Sequence, residues 1–318
     1  MIRKMTDTLF TGIKEINILL YSNTLKPFVI LLFIALISSC EKDNEEQEVE
    51  EPQILNTKIF RIPVVVHIVH NGEPVGTGPN ISTWQVRSQI DVLNEDFRRK
   101  EGSNGFNSIG VDTQIEFFLA NTDPDGNTLS EPGIHRYDGG RIIWPTGFAT
   151  SVDSELKPAT IWDPDRYFNI WTVNFGGFIG RNLLGYAQFP SGSGLPGLNE
   201  NEGEAHTDGV VIGYKYFGSL EKGDFPDLNE TYGLGRTCTH EVGHWLGLRH
   251  IWGDGNCGVD DFCADTPDSD DPNHSCSSHT SCGTRDMIEN YMDYTEDKCM
   301  SIFTQDQKNR MLEVLQNS

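Results

Sequence analysis

The apolar positions of the chain begin with a dense run, KIFRIPVVVHIVH from Lys58 to His70, rich in Val and Ile. Such a run reads as a buried strand. His67 and His70 fall inside it and read as a core and a rim histidine. In STWQVRSQIDVLNEDFRR, Ser82 to Arg99, the pattern changes: Val86, Ile90, Leu93 and Phe97 form the stripe of a helix face, with Ser82 as its N-cap. QIEFFLAN, YFNIWTVNF, LGYAQFP and DGVVIGY predict further strands, the last opening after an acidic, glycine-rich loop. A helix carrying histidines follows, then a stretch without periodicity, rich in Asp, Gly, Pro and Cys. A final helix, TQDQKNRMLEVLQ, is expected from Thr304, its cap, to Gln316. No internal repeat is present. The order predicts an α/β (α+β) fold: strands and a helix first, the histidine helix next, and a loop-rich last part.

Composition narrows the classes. With 318 residues, 37% apolar, the chain can bury a large core. A formal charge of −23 argues against a nucleic-acid surface. Part of the acidity is local: EKDNEEQEVEE, just after Cys40, reads as a solvated tether over residues 41–57. Before it, the apolar segment Phe28 to Ile37 falls short of the ~20 residues that a spanning helix needs. It ends in LISSC, which resembles a bacterial lipobox and makes Cys40 the expected lipidated first residue of an exported surface protein, with plain secretion or an uncleaved anchor as the alternatives. Export suits disulfides. The other six cysteines, Cys238, Cys257, Cys263, Cys276, Cys282 and Cys299, all lie in the last third of the chain, where roughly 15 pairings are open. No CxxC pair is present, which argues against a cysteine zinc site.

The candidate chemistry sits in THEVGHWLGLRH, Thr239 to His250. On a helix His240 and His244, four apart, share a face and can reach one ion. Gly247 lets the chain leave the helix, so that His250 can return as a third ligand. Three neutral imidazoles leave one tetrahedral position of Zn²⁺ open, as in a catalytic site. Glu241, one step round the helix, is then placed as a general base rather than a ligand.

HEVGHWLGLRH matches the metzincin signature HExxHxxGxxH, and NYMDY, Asn290 to Tyr294, offers Met292 for the methionine turn below the metal. Together with IPVVVHIVHNG, SQIDVLNEDFR, GDGNCGVDDFCADTP and CMSIFTQDQKNRM, these stretches resemble the pappalysin branch of metzincins, in particular its bacterial cytophagalysin- and ulilysin-like members. The likeness covers about Lys58 to Leu315 and is weak between Gly102 and Gly203. It implies a metzincin fold: a twisted mixed sheet with a backing helix and an active-site helix over a loop-rich lower part. The catalytic domain is then residues 58–318, divided near residue 250. The resemblance further implies that Tyr294 stabilises the tetrahedral intermediate, and that calcium binds in the loop after His250, where Asp254, Asp260, Asp261, Asp265 and Thr266 supply oxygen donors. It pairs Cys257 with Cys282 and Cys276 with Cys299, which leaves Cys238 to join Cys263.

The resulting expectation is a zinc endopeptidase acting on proteins or peptides. In metzincins the segment after the methionine turn passes along the pocket for the residue that follows the scissile bond. Here that segment carries Glu296, Asp297 and Lys298, and Asp297 is the acid expected to favour Arg or Lys. Between Cys40 and Lys58 there is no cysteine and little room for a blocking prosegment, and no sorting domain follows the last helix, which favours lipid anchoring. The rivals are a zinc- and calcium-binding adhesion module, which would have no need of Glu241, and a metzincin of another branch.

Overall fold

β1 (Phe60–His70) is the spine of a mixed sheet. The computed structural model describes residues 58–145, 151–176, 183–198 and 203–317; the expected leader, Cys40 and the expected acidic tether lie outside them. One flank of β1 pairs in parallel with β2 (Ile115–Leu119) and, further along, with β3 (Ile134–Asp138). Its other flank pairs with β5 (Phe168–Val173), again in parallel. β8 (Val210–Gly213) continues in parallel, and β7 (Gly185–Ala187) closes the order β2-β1-β5-β8-β7 as an antiparallel edge. The short strands β4 (Trp144–Pro145) and β6 (Phe175–Gly176) pair apart from this sheet.

Both faces of β1 are covered, which explains its unbroken apolar run. Val64, Val66 and Ile68 point into the main core with α1 (Thr83–Phe97), whose Val86, Ile90, Leu93 and Phe97 face them. Val69 points the other way, against Trp144, Val152, Leu156 and Trp171, below the short helix α2 (Lys157–Thr160). His67 also lies on that side, fully buried. Its Nε2 donates to Asn169 Oδ1 at 2.9 Å, and its Nδ1 meets His135 Nδ1 at 2.8 Å. Burial holds His67 neutral, down to about 3, so it is the core histidine expected. His70 is half-buried at the rim.

Ser82 accepts from the Gln85 N–H and caps α1, as the sequence predicts. α3 (Arg236–Trp245) packs against α1, β7 and β8. Thr239 Oγ1 donates to the buried Asp96 of α1 at 2.6 Å, and Arg236 pairs with the same carboxylate at 3.1 Å, locking the two helices together. Beyond α3 regular structure is sparse: the hairpin β9 (Thr280–Ser281) and β10 (Thr284–Arg285), then α4 (Gln305–Asn317). Thr304 Oγ1 accepts from the Gln307 N–H, the capping contact expected.

Two disulfides staple this irregular part, Cys257–Cys282 and Cys276–Cys299, the pairs that the resemblance implies. They span 25 and 23 residues, a loop closure worth about 3 kcal/mol each in the chain-entropy model. The third expected bond is corrected: Cys238 and Cys263 are separate buried thiols. Cys238 points from α3 into the apolar core, whereas Cys263 sits beside Asp261 and Arg310 in the loop before α4. Burial raises both thiols above the usual range and keeps them protonated. Among the described residues no helix is long and apolar enough to cross a membrane.

Candidate active site

α3 ends where its sequence lets it. Gly247 adopts φ +87°, a left-handed conformation that favours glycine, and a Cβ there would come within 3.0 Å of Leu195 and Val314. Arg310 of α4 holds the turn by donating to Gly247 O at 2.5 Å and to Pro196 O at 2.6 Å. The chain thereby turns back, and His250 meets the two helical histidines. His244 Nε2 lies 3.0 Å from both His240 Nε2 and His250 Nε2.

The outer nitrogens settle the tautomers. His240 Nδ1 donates to Tyr291 O at 2.7 Å, and His244 Nδ1 donates to Leu248 O at 2.8 Å. His250 Nδ1 faces Asp254 Oδ1. Each Nδ1 thus carries the proton, and three Nε2 lone pairs point at one another. Burial and mutual repulsion hold His240 well below the usual histidine range and His244 down to about 3, so these rings are neutral donors. Converging lone pairs at this spacing repel unless a cation lies between them, and three imidazole nitrogens suit Zn²⁺. The residues present fit that metal.

Met292 lies beneath, fully buried. Asn290 Oδ1 accepts from the Met292 N–H at 2.9 Å and shapes the turn. The Met292 sulfur sits where a Cβ on Gly243 would fall, 2.4 Å from it, so the glycine in HEVGH lets the turn approach the helix. Glycine has a second use in β7: a Cβ on Gly185 would stand 2.9 Å from the Glu241 side chain. The sequence reading did not mark either glycine. Each is visible only once a strand or turn is set against α3.

A cavity of about 350 Å³ opens beside His240 and Glu241, bordered by Gly185, Tyr294, Asp297 and Met300. Glu241 is buried, and desolvation pushes its carboxyl up to about 8. Tyr294 stands over the histidines, its ring 4.9 Å from that of His250 and 5.5 Å from that of His240. Desolvation, with the Glu241 and Asp254 charges, raises its phenol to about 12 and keeps it a proton donor.

Asp297 lines the same cavity, whereas Glu296 turns away to pair with Lys298 at 2.5 Å. Asp297 Oδ2 accepts from the N–H groups of Leu234, at 2.8 Å, and Arg236, at 3.2 Å, at the start of α3. Burial raises its carboxyl to about 6. His274 and Asp293 also border the cavity and were not singled out by sequence. Asp293 positions Asn273 and the Tyr294 N–H.

The five expected calcium donors are not brought together. Asp261 and Thr266 meet at 2.7 Å, and Asp265 accepts from the Asp306 N–H in the first turn of α4. Asp260 turns back on the Phe262 N–H at 2.6 Å. Asp254 faces His250 and Arg249 instead. Among the described residues, the metal-capable groups of side chains are the three histidines and a second set, Asp270, His279 and Asp286. In that set the buried Asp286 is already hydrogen-bonded to Ser281, Asn273 and His279.

Known proteins resemble this chain in sequence and fold. Residues 151–316 fit the profile of peptidase family M43, described as pregnancy-associated plasma protein-A. An extracellular metalloprotease of Sordaria macrospora is 39% identical over 256 residues, covering 79% of this chain and 73% of its own. One of Colletotrichum graminicola is 48% identical over 255 residues, covering 79% and 74%. Among solved structures, mature mirolysin of Tannerella forsythia in complex with a cleaved peptide superposes with a TM-score of 0.62 at 41% identity, covering 80% of this chain and 90% of that one. With that sheet, that helix and those three histidines, the chain belongs to the pappalysin family of metzincin metalloendopeptidases.

Proposed function

We propose that this protein is an exported zinc endopeptidase that cleaves polypeptides before a basic residue, with Glu241 as the proton carrier. The observation that carries the reading is the convergence of three histidine Nε2 atoms beside a cavity bordered by Glu241. Zinc, when bound, polarises the scissile carbonyl and acidifies water. Glu241 takes the proton from the attacking water and delivers it to the leaving amine, a transfer suited to a carboxyl raised towards neutrality. Tyr294, kept protonated, donates to the developing oxyanion. The antiparallel edge β7 borders the cavity and offers backbone groups to an extended substrate. Asp297, lining the cavity, supplies the charge for Arg or Lys after the cut. A zinc-selective chelator should abolish hydrolysis of a peptide library, and added zinc should restore it; activity that survives complete zinc removal would refute the reading.

Calcium near Asp261 and Thr266 is part of the proposal, supported by two hard oxygen donors held together in a buried turn. Its sign is a rise in melting temperature on adding calcium to the zinc-loaded protein. Export accords with the extracellular relatives. The lipobox-like LISSC adds an anchor at Cys40, so Cys40→Ser should release the protein from membranes into the soluble fraction. Continued sedimentation of that variant with membranes would exclude the lipid as the anchor.

A further inference from the structure

The three histidines are oriented by different means. His240 and His244 stand on a helix and give their outer protons to backbone carbonyls, of Tyr291 and Leu248. His250 lies beyond the helix and has no such support. Its Nδ1 faces a carboxylate four residues on, in the stretch HIWGD.

That short turn is built to deliver the carboxylate. The Gly253 N–H donates to His250 O at 2.9 Å and closes the loop. Gly253 has φ +61°, and a Cβ there would lie 2.4 Å from Val259 O, so the turn is pressed against the next segment. Asp254 itself holds φ +61°, a conformation Asp and Asn adopt more readily than most residues. Arg249 reaches over from the other side, donating to Gly253 O at 2.6 Å and Asp254 Oδ2 at 3.2 Å. The indole of Trp252 stacks on the His250 ring at 4.2 Å and 5° between planes. One carboxylate oxygen is thus held by Arg249 and the other by the ring, one face of which is covered by Trp252.

We infer that Asp254 is the positioning residue for the third metal ligand: it fixes His250 in the Nδ1–H form, turns Nε2 towards the other two histidines and strengthens it as a donor, and so is not a calcium ligand. The inference rests on the zinc reading above. Carboxylates in this relation to a ligating histidine change metal affinity by about 10–100-fold.

The test uses the full chain carrying Asp254→Asn, which keeps the side chain's shape and its tolerance of a left-handed backbone. Zinc affinity is measured by chelator competition, and the coordination sphere by the absorption bands of the cobalt-substituted protein. The expected result is a zinc dissociation constant raised about 10–100-fold, with shifted cobalt bands. The apo-protein melting temperature and the calcium-induced stabilisation should stay as in the wild type. Asp254→Gly, which relaxes the backbone and removes the carboxylate, should show the same loss. Arg249→Gln should show a smaller loss in the same direction. A wild type that binds zinc beside an Asp254→Asn variant with unchanged affinity and spectrum would overturn the inference and spare the zinc reading. So would loss of calcium stabilisation with zinc affinity intact, which would return Asp254 to the calcium loop. Failure of the wild type to bind zinc would overturn both.

Discussion

Replacing Glu241 by alanine should lower kcat/KM for peptide hydrolysis by about 10³–10⁴-fold while leaving about one zinc bound. The side chain is buried beside the cavity, yet it is not one of the three groups whose nitrogens converge. Its loss removes the proton carrier and leaves the donor set whole. Truncation also widens the space next to Gly185, where the Glu241 side chain now stands. Substrate affinity should change far less than turnover, because the group acts on the proton in flight. Metal content by atomic absorption beside steady-state kinetics decides the matter. A zinc-loaded variant retaining more than a few per cent of activity would remove Glu241 from the mechanism, whereas joint loss of zinc and activity would make it structural.

The second large effect concerns selectivity. Asp297→Asn should reduce the preference for Arg or Lys after the cut by about 10²-fold relative to an apolar residue, roughly the 2–3 kcal/mol lost when one partner of a buried charge pair is neutralised. Asparagine is the informative change because its amide oxygen can still accept from Leu234 and Arg236, so the start of α3 is kept. The pH dependence has a definite sign. Burial raises the Asp297 carboxyl to about 6, so it is largely neutral below that pH and charged above it. The basic preference of the wild type should therefore grow as pH rises through about 6 and flatten in the variant. Cleavage-site profiles of both proteins at pH values of about 5 and 8 test this. A wild-type profile dominated by bulky apolar residues after the cut would refute the assignment without touching the metal chemistry.

Much of this was legible in residue order, and the exceptions have physical causes. Regular elements declared themselves wherever burial imposed a period: Val86, Ile90, Leu93 and Phe97 face the core, and Ser82 caps their helix. The histidines were legible because a single ion imposes fixed offsets. β3 was missed because its residues, IHRYD, are mostly polar and half-exposed, and pairing along the far half of β1 defines it. The expected Cys238–Cys263 bond failed because an even count of cysteines was read as complete pairing; one thiol is an ordinary core residue of α3. Asp254 was grouped with the other acids of its loop by the family resemblance, whereas the turn at Gly253 directs it back to His250. Gly185 and Gly243 carry no pattern of their own: their meaning lies in the clearance they leave for Glu241 and Met292.

The double engagement of Asp297 limits how such an enzyme can diverge. The acid that borders the cavity also receives the N–H of Leu234, just before the N-cap, and that of Arg236, the first residue of the helix bearing two of the three histidines. A lineage, or a designer, seeking an apolar-selective protease cannot simply exchange it for leucine, since that would leave buried backbone donors without an acceptor at the base of the catalytic helix. The accessible route runs first through asparagine or serine, which keep an acceptor there, and only then through reshaping Met300 and Tyr232, which line the same cavity. Substrate range in this scaffold is therefore expected to change in coupled steps, with neutral polar residues as the intermediates.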